Sequence, residues 1–123
     1  MNRLEEILAK SKSAKEYAKQ YLSYLSELLV SLDLEAVEKV IEVLQQTRSG
    51  GKTIFFVGNG GSAATCLHFA EDLTYGTLLE KRKPFRALSL AGNVAHMTAL
   101  ANDKGYEDIF VGQLKNLFQK GDI

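Results

Sequence analysis

The sequence predicts an α/β fold built on parallel strands, and three observations predict it. Ile54-Phe55-Phe56-Val57 is an apolar run of aromatic and β-branched residues, the composition of a strand covered on both faces. It leads directly into Gly58-Asn59-Gly60-Gly61-Ser62-Ala63-Ala64, a glycine turn opening a helix. Phe85 to Leu90 is a second buried run, and the helical stretch between the two implies a parallel crossover.

Composition narrows the class. The chain has 123 residues, 46% of them apolar, which suits one domain with a real core and argues against disorder. Lys+Arg and Asp+Glu both number 15, so the formal net charge is zero and a surface dominated by nucleic-acid phosphate contacts is not expected. Cys66 is the single cysteine, which excludes an internal disulfide. No apolar run approaches the roughly 18 residues needed to span a bilayer. The N-terminus mixes charges with its apolar residues, unlike a signal peptide. These features predict a soluble, cytoplasmic protein with no membrane and no direct nucleic-acid partner.

Residues 3–32 carry an apolar stripe. Leu4, Ile7, Leu8, Tyr17, Tyr21, Leu25, Leu28 and Leu32 recur at spacings of three and four. This predicts one long amphipathic helix, about 45 Å at 1.5 Å per residue. Lys10, Lys12, Lys15 and Lys19 mostly fall on its solvated side. A domain of this size cannot cover such a stripe alone, so packing against another subunit is expected. Asp33 is the expected cap of a second helix, with Val37, Val40, Ile41 and Leu44 on its buried side and Ser49-Gly50-Gly51 ending it. Residues 1–50 thus read as a helical oligomerisation segment, and 51–123 as the first part of the α/β domain.

Ser62 is the expected cap of a helix running to about Tyr75. Such a helix aims free N–H groups and its positive dipole end into the glycine turn, a geometry that binds anions. Residues 77–86 form a loop, whose Lys81-Arg82-Lys83 reads as a solvated run or as a phosphate contact. After the second strand, Ala91-Gly92-Asn93 turns into a helix carried by Val94, Met97, Leu100 and Ala101, which Asn102-Asp103-Lys104-Gly105 breaks. A last helix uses Ile109, Phe110, Leu114, Leu117 and Phe118, and Ile123 begins a further strand. The sequence therefore stops where a third strand is expected to start. A two-stranded parallel sheet is a poor core, so a larger domain, or another chain, is expected to complete it.

Gly58-x-Gly60-x-x-Ala63 formally fits a dinucleotide fingerprint, but the second strand ends Leu88-Ser89-Leu90-Ala91-Gly92 without the acid that ribose binding needs. His68 and Asp72 lie four apart on one helix face, where an imidazole and a carboxylate can share a divalent metal. The same spacing suits a hydrogen-bonded surface pair, and spacing alone leaves both open. Glu71 is one position off that face and reads as a solvated charge. His96 reads as a partly buried core or interface histidine, and Cys66 as a small packing residue. Asn102-Asp103 is either a helix stop or a pair on the loop at the carboxyl edge of the sheet, placed to hold sugar hydroxyls.

Three motifs in this order resemble a known family. Gly58 to Ala64, then His68-Phe69-Ala70-Glu71-Asp72-Leu73, then Ala101-Asn102-Asp103 with Gly105-Tyr106 and Ile109-Phe110 are similar to sugar isomerase (SIS) domains, and among them to phosphoheptose isomerases. The resemblance covers the whole chain. It implies a three-layer, Rossmann-like SIS domain with a parallel sheet and long N-terminal helices, here ending before the third strand. It implies a homo-oligomer, a tetramer in preference to a dimer. It also implies conversion of sedoheptulose 7-phosphate to a heptose 7-phosphate through an enediol-type intermediate, on a route to lipopolysaccharide or capsule heptose.

By position, the resemblance assigns Asn59, Gly60, Gly61 and Ser62 to the sugar-phosphate site and Asn102 and Asp103 to substrate contacts. It makes His68 a zinc ligand. Asp72 stands where the family has a glutamate that is both metal ligand and catalytic base. Asp72 is one methylene shorter, and about 1 Å of misplacement can cost two orders of magnitude in rate. The sequence also stops before the family's serine-rich phosphate loop and its later glutamine and histidine ligands. A related SIS subgroup binds the bacterial replication initiator protein and is not known for catalysis. It shares the long N-terminal helix, the tetramer and the glycine turn but lacks the acid at Asp72. A non-catalytic SIS scaffold that binds a sugar phosphate or that initiator is the alternative expectation.

Overall fold

The computed structural model describes residues 2–78 and 82–123, so Lys81 of the basic triplet lies outside the described residues. The elements are α1 (Arg3–Lys10), α2 (Ala14–Val30), α3 (Leu34–Gly50), β1 (Thr53–Phe56), α4 (Gly61–Glu71), a π-helical turn (Asp72–Gly76), β2 (Arg86–Ser89), α5 (Val94–Asp103) and α6 (Asp108–Leu117). They group into two compact units, one ending at Glu38 and one spanning Lys39–Ile123. The division falls inside α3, whose Leu44 packs against Ile54, Leu73 and Phe85 in the core of the second unit.

In the first unit, the one long helix expected over 3–32 is two helices. Ser11 Oγ donates to the Ile7 carbonyl at 2.7 Å, and Ser13 Oγ accepts the Glu16 N–H. The Glu16 carboxylate in turn accepts the Lys12 N–H at 2.8 Å. These side chains end one helix and start the next in the gap of the apolar stripe between Leu8 and Tyr17. Tyr21, Leu22, Leu25, Leu28 and Leu29 of α2 remain exposed.

Asp33 caps α3 as expected, its Oδ1 accepting the Ala36 N–H at 3.0 Å. The other end of α3 closes as a Schellman motif: Lys52 N–H donates to the Thr47 carbonyl and Gly51 N–H to that of Arg48, with Gly51 at φ 67°.

β1 and β2 pair in parallel, from Thr53 opposite Arg86 to Phe56 opposite Ser89. Alternation along the strand sorts the sheet into two faces. Ile54 and Phe56 share one face, where Leu44, Leu73 and Phe69 meet them. Phe55 takes the other face, where Phe118, just after α6, packs 6.3 Å from it between ring centroids. Helical segments thus cover both faces, the three-layer arrangement that the resemblance implies.

Ile123 occupies the free edge of β1. Its N–H donates to the Thr53 carbonyl at 3.0 Å and its carbonyl accepts the Phe55 N–H at 2.8 Å, the pattern of a parallel neighbour. β1 is therefore flanked on both edges, by β2 and by Ile123. Buried Asp122 sets the register: its Oδ1 accepts the Thr53 N–H at 2.8 Å and its Oδ2 the Gln119 N–H at 2.9 Å. Those two bonds hold its carboxyl below the usual carboxylate range, with a smaller contribution from Lys52 and Arg86. Among the described residues, no helix is long and apolar enough to cross a membrane.

Candidate active site

The glycine turn is shaped by a close approach. A Cβ on Gly58 would lie 2.7 Å from the backbone C and O of Ser62 and 3.0 Å from Cys66 Sγ. Glycine is what lets α4 start this close to the end of β1. The Cys66 thiol donates to the Val57 carbonyl at 3.1 Å, so the cysteine clamps the turn from inside.

Gly60 sits at φ 54° and ψ −124°, a left-handed turn conformation that favours glycine. It is also the N-cap of α4, in place of the expected Ser62. The positive φ at Gly60 turns the chain early, so Ser62 is already inside the helix and its N–H donates to the Asn59 carbonyl at 3.0 Å. No side chain caps α4, and the N–H groups of Gly60 and Gly61 have no acceptor among the described residues. Asn59, Gly60, Gly61 and Ser62 are all exposed. With the helix dipole behind them, these donors form an open anion nest at the carboxyl edge of the sheet.

Farther along α4, His68 Nδ1 lies 3.1 Å from Asp72 Oδ2, and both side chains are exposed. Glu71 joins them: one ligand atom from each of His68, Glu71 and Asp72 lies within 4.8 Å of the others. Idealised helix spacing puts Glu71 one position off the His68–Asp72 face. The signal was its spacing of three from His68, which makes it as near a helix neighbour as a residue four away. Ala64, Thr65, His68, Phe69 and Asp72 line one open cavity of ≈ 550 Å³, so His68 and Asp72 share a concavity with the first turns of α4.

Asp72 also opens the π-helical turn, where a regular helix to about Tyr75 was expected. The hydroxyls of Thr74 and Thr77 donate back to the carbonyls of Ala70 and Leu73, at 2.8 and 2.6 Å, and support the widened turn. Such turns are frequent at functional sites.

One imidazole and two carboxylates are a donor set that suits zinc. Three protein ligands with a position left open is the pattern of catalytic rather than structural sites. His68 Nδ1 and Asp72 Oδ2 face each other closely enough for one cation to lie between them.

Asn102 and Asp103 are not on a loop. They form the last turn of α5, where Asn102 Nδ2 donates to Asp103 Oδ1 at 2.8 Å. The helix runs through them because the N–H groups of Lys104 and Gly105 both close on the Leu100 carbonyl, and the chain departs only at Gly105, with φ 118°. Among the described residues, no hydrogen bond or ion pair joins this pair to the glycine turn or to the His68 cluster. His96 is half-buried in α5, facing a cavity with Asn93 and Gln113.

The sequence profile of the SIS domain matches residues 16–123. The chain belongs to the SIS domain family. It is 35% identical over 106 residues to a probable phosphoheptose isomerase of Thermoplasma acidophilum, covering 86% of this chain and 58% of that protein. It is 40% identical over 88 residues to the phosphoheptose isomerase of Helicobacter hepaticus, covering 72% of this chain and 44% of that one. Its fold matches the solved phosphoheptose isomerase of Neisseria gonorrhoeae with a TM-score of 0.76 at 26% identity, over 89% of this chain and 58% of the other. This SIS chain spans about half the length of the curated relatives it matches.

Proposed function

We propose that this SIS protein is a phosphosugar isomerase that converts sedoheptulose 7-phosphate to a heptose 7-phosphate in the cytoplasm, on a route to lipopolysaccharide or capsule heptose. The observation that carries this reading is the exposed His68–Glu71–Asp72 cluster on the helix that the glycine turn opens. The similarity to phosphoheptose isomerases supports it.

In this reading the free N–H groups of Gly60 and Gly61, with Asn59 and Ser62, hold the sugar phosphate. Asn102 and Asp103, on the last turn of α5, contact substrate hydroxyls. The Asp72 carboxylate takes the proton from the carbon beside the substrate carbonyl, and an acid returns one at the neighbouring carbon. Zinc, held by His68 and Asp72 with Glu71, would polarise the substrate oxygens.

The protein acts as a homo-oligomer, in this reading a tetramer. Leu22, Leu25 and Leu29 of α2, and Val37, Val40 and Ile41 of α3, are apolar and exposed in the single chain. Light scattering is expected to give a multiple of 13.6 kDa for this 123-residue chain, and a monomer would count against the assembly.

Purified protein supplied with zinc and sedoheptulose 7-phosphate is expected to form the heptose 7-phosphate. Asp72→Asn is expected to slow turnover by about two to four orders of magnitude without changing circular dichroism. Unchanged turnover in the variant overturns the base assignment. Sugar-phosphate binding by the native protein without turnover would favour the non-catalytic scaffold instead, with the replication initiator protein as the partner to test.

A further inference from the structure

A cationic cavity lies at the opposite edge of the sheet. Arg48, in the last turn of α3, is only 7% exposed. Its guanidinium lies over the Phe85 ring, 4.6 Å from the centroid, and its Nε donates to the Lys83 carbonyl. Its Nη2 is buried and has no hydrogen-bond partner among the described residues. A charged donor left unpaired in the interior is among the costliest groups a fold can carry, so an acceptor is expected there.

The surroundings indicate what kind of acceptor. Arg48 lines a cavity of ≈ 220 Å³ with Gln45, Ser49, Arg82 and Lys83, and among the described residues no carboxylate lines it. The ion pairs among the described residues are Arg3–Glu6 and His68–Asp72, so none of these three cations is neutralised by one. Lys83 Nζ donates to the Ser49 carbonyl at 3.0 Å, which offsets the negative end of the α3 dipole that would otherwise repel an anion. Arg82 and Arg48 then offer forked guanidinium donors, the geometry that recognises phosphate oxygens.

We propose that this cavity binds phosphate, free or as a phosphomonoester, at the amino edge of the sheet. It is not part of the site described above. Gly51 and Lys52 lead into β1 on this side, whereas the glycine turn follows Phe56, about 13 Å farther along the strand at 3.3 Å per residue. Arg48 supplies the buried anchor, and exposed Arg82 supplies the second fork.

The test is a titration of the native, isotope-labelled protein with inorganic phosphate at constant ionic strength, repeated with glycerol 3-phosphate. The side-chain Nε–H signal of Arg48 and the amide signals of Ser49 and Lys83 are expected to shift along one saturating curve. Arg82→Gln, an exposed change that leaves the core untouched, is expected to weaken binding at least about tenfold. Saturation with glycerol 3-phosphate alone would identify a phosphomonoester site, and with both probes a general phosphate site. Shifts that do not saturate, or that persist unchanged in Arg82→Gln, overturn the proposal. Glu80 lies two residues before Arg82 in the sequence. If the native protein binds neither probe and Glu80→Gln binds phosphate, the acceptor is the chain's own carboxylate and the proposal fails.

Discussion

Thr53, at the amino end of β1, gives its N–H to Asp122 and its carbonyl to Ile123, whereas Gly60 and Gly61, beyond the carboxyl end, keep N–H groups that nothing among the described residues accepts. Lys52 extends the contrast. Its N–H closes the Schellman motif on Thr47 and its ammonium donates to the Lys120 carbonyl at 2.6 Å. At this end of the strand the Asp122 carboxylate and the Lys52 ammonium are bonded into the fold. The other is shaped by glycines and by a helix without a capping side chain, which leaves donors available to a ligand. Clamping one end lets the other stay open and still be well placed, as binding loops on a rigid scaffold usually are.

Substitutions at the open end grade the contrast. Gly58→Ala is expected to have the largest effect, about 2–3 kcal/mol in denaturant unfolding, because its Cβ meets the Ser62 backbone. Gly60→Ala has open space around it, so its cost is the positive φ alone, about 1–2 kcal/mol. Gly61→Ala meets neither obstacle and is expected to stay within about 0.5 kcal/mol. Equal losses at Gly58 and Gly61 would break the claim that close approach shapes the turn.

At the clamped end, Asp122→Asn sharpens the same comparison through its pH dependence. The folded carboxyl titrates below its ordinary value of 3.8, so its stabilisation is complete above that value and is lost as pH falls through the lower, folded one. Melting temperatures are expected to separate native protein from variant at neutral pH and to converge in strong acid. A gap that stays constant with pH would mean that the carboxylate charge is not the clamp.

The open end was the more legible in the sequence. An aromatic, β-branched run followed by Gly58, Gly60 and Gly61 has few other readings, and Asp33 and Gly51 marked the ends of α3 by their residue types alone. What periodicity hid was set by side chains bonding to nearby backbone. Ser13 and Glu16 start a helix in the gap between Leu8 and Tyr17, and Ser13-x-x-Glu16 is itself a start signal. The hydroxyls of Thr74 and Thr77 accompany a π turn that no spacing announces. An idealised helix face hides Glu71, and the residue types of Asn102 and Asp103 suit a helix stop as well as a loop, of which the fold takes the helix end. The burial of Arg48 had no local signal, since it depends on Phe85, which is distant in sequence.

The central claim is that the open end of β1 leads to a metal-assisted site centred on His68 and Asp72. Calorimetric titration of zinc into metal-free native protein, beside His68→Ala, tests it most directly. Saturable binding at one zinc per chain, weakened at least about tenfold in the variant, is the predicted result. Equal zinc affinity in the two proteins, or none in the native one, would contradict the account.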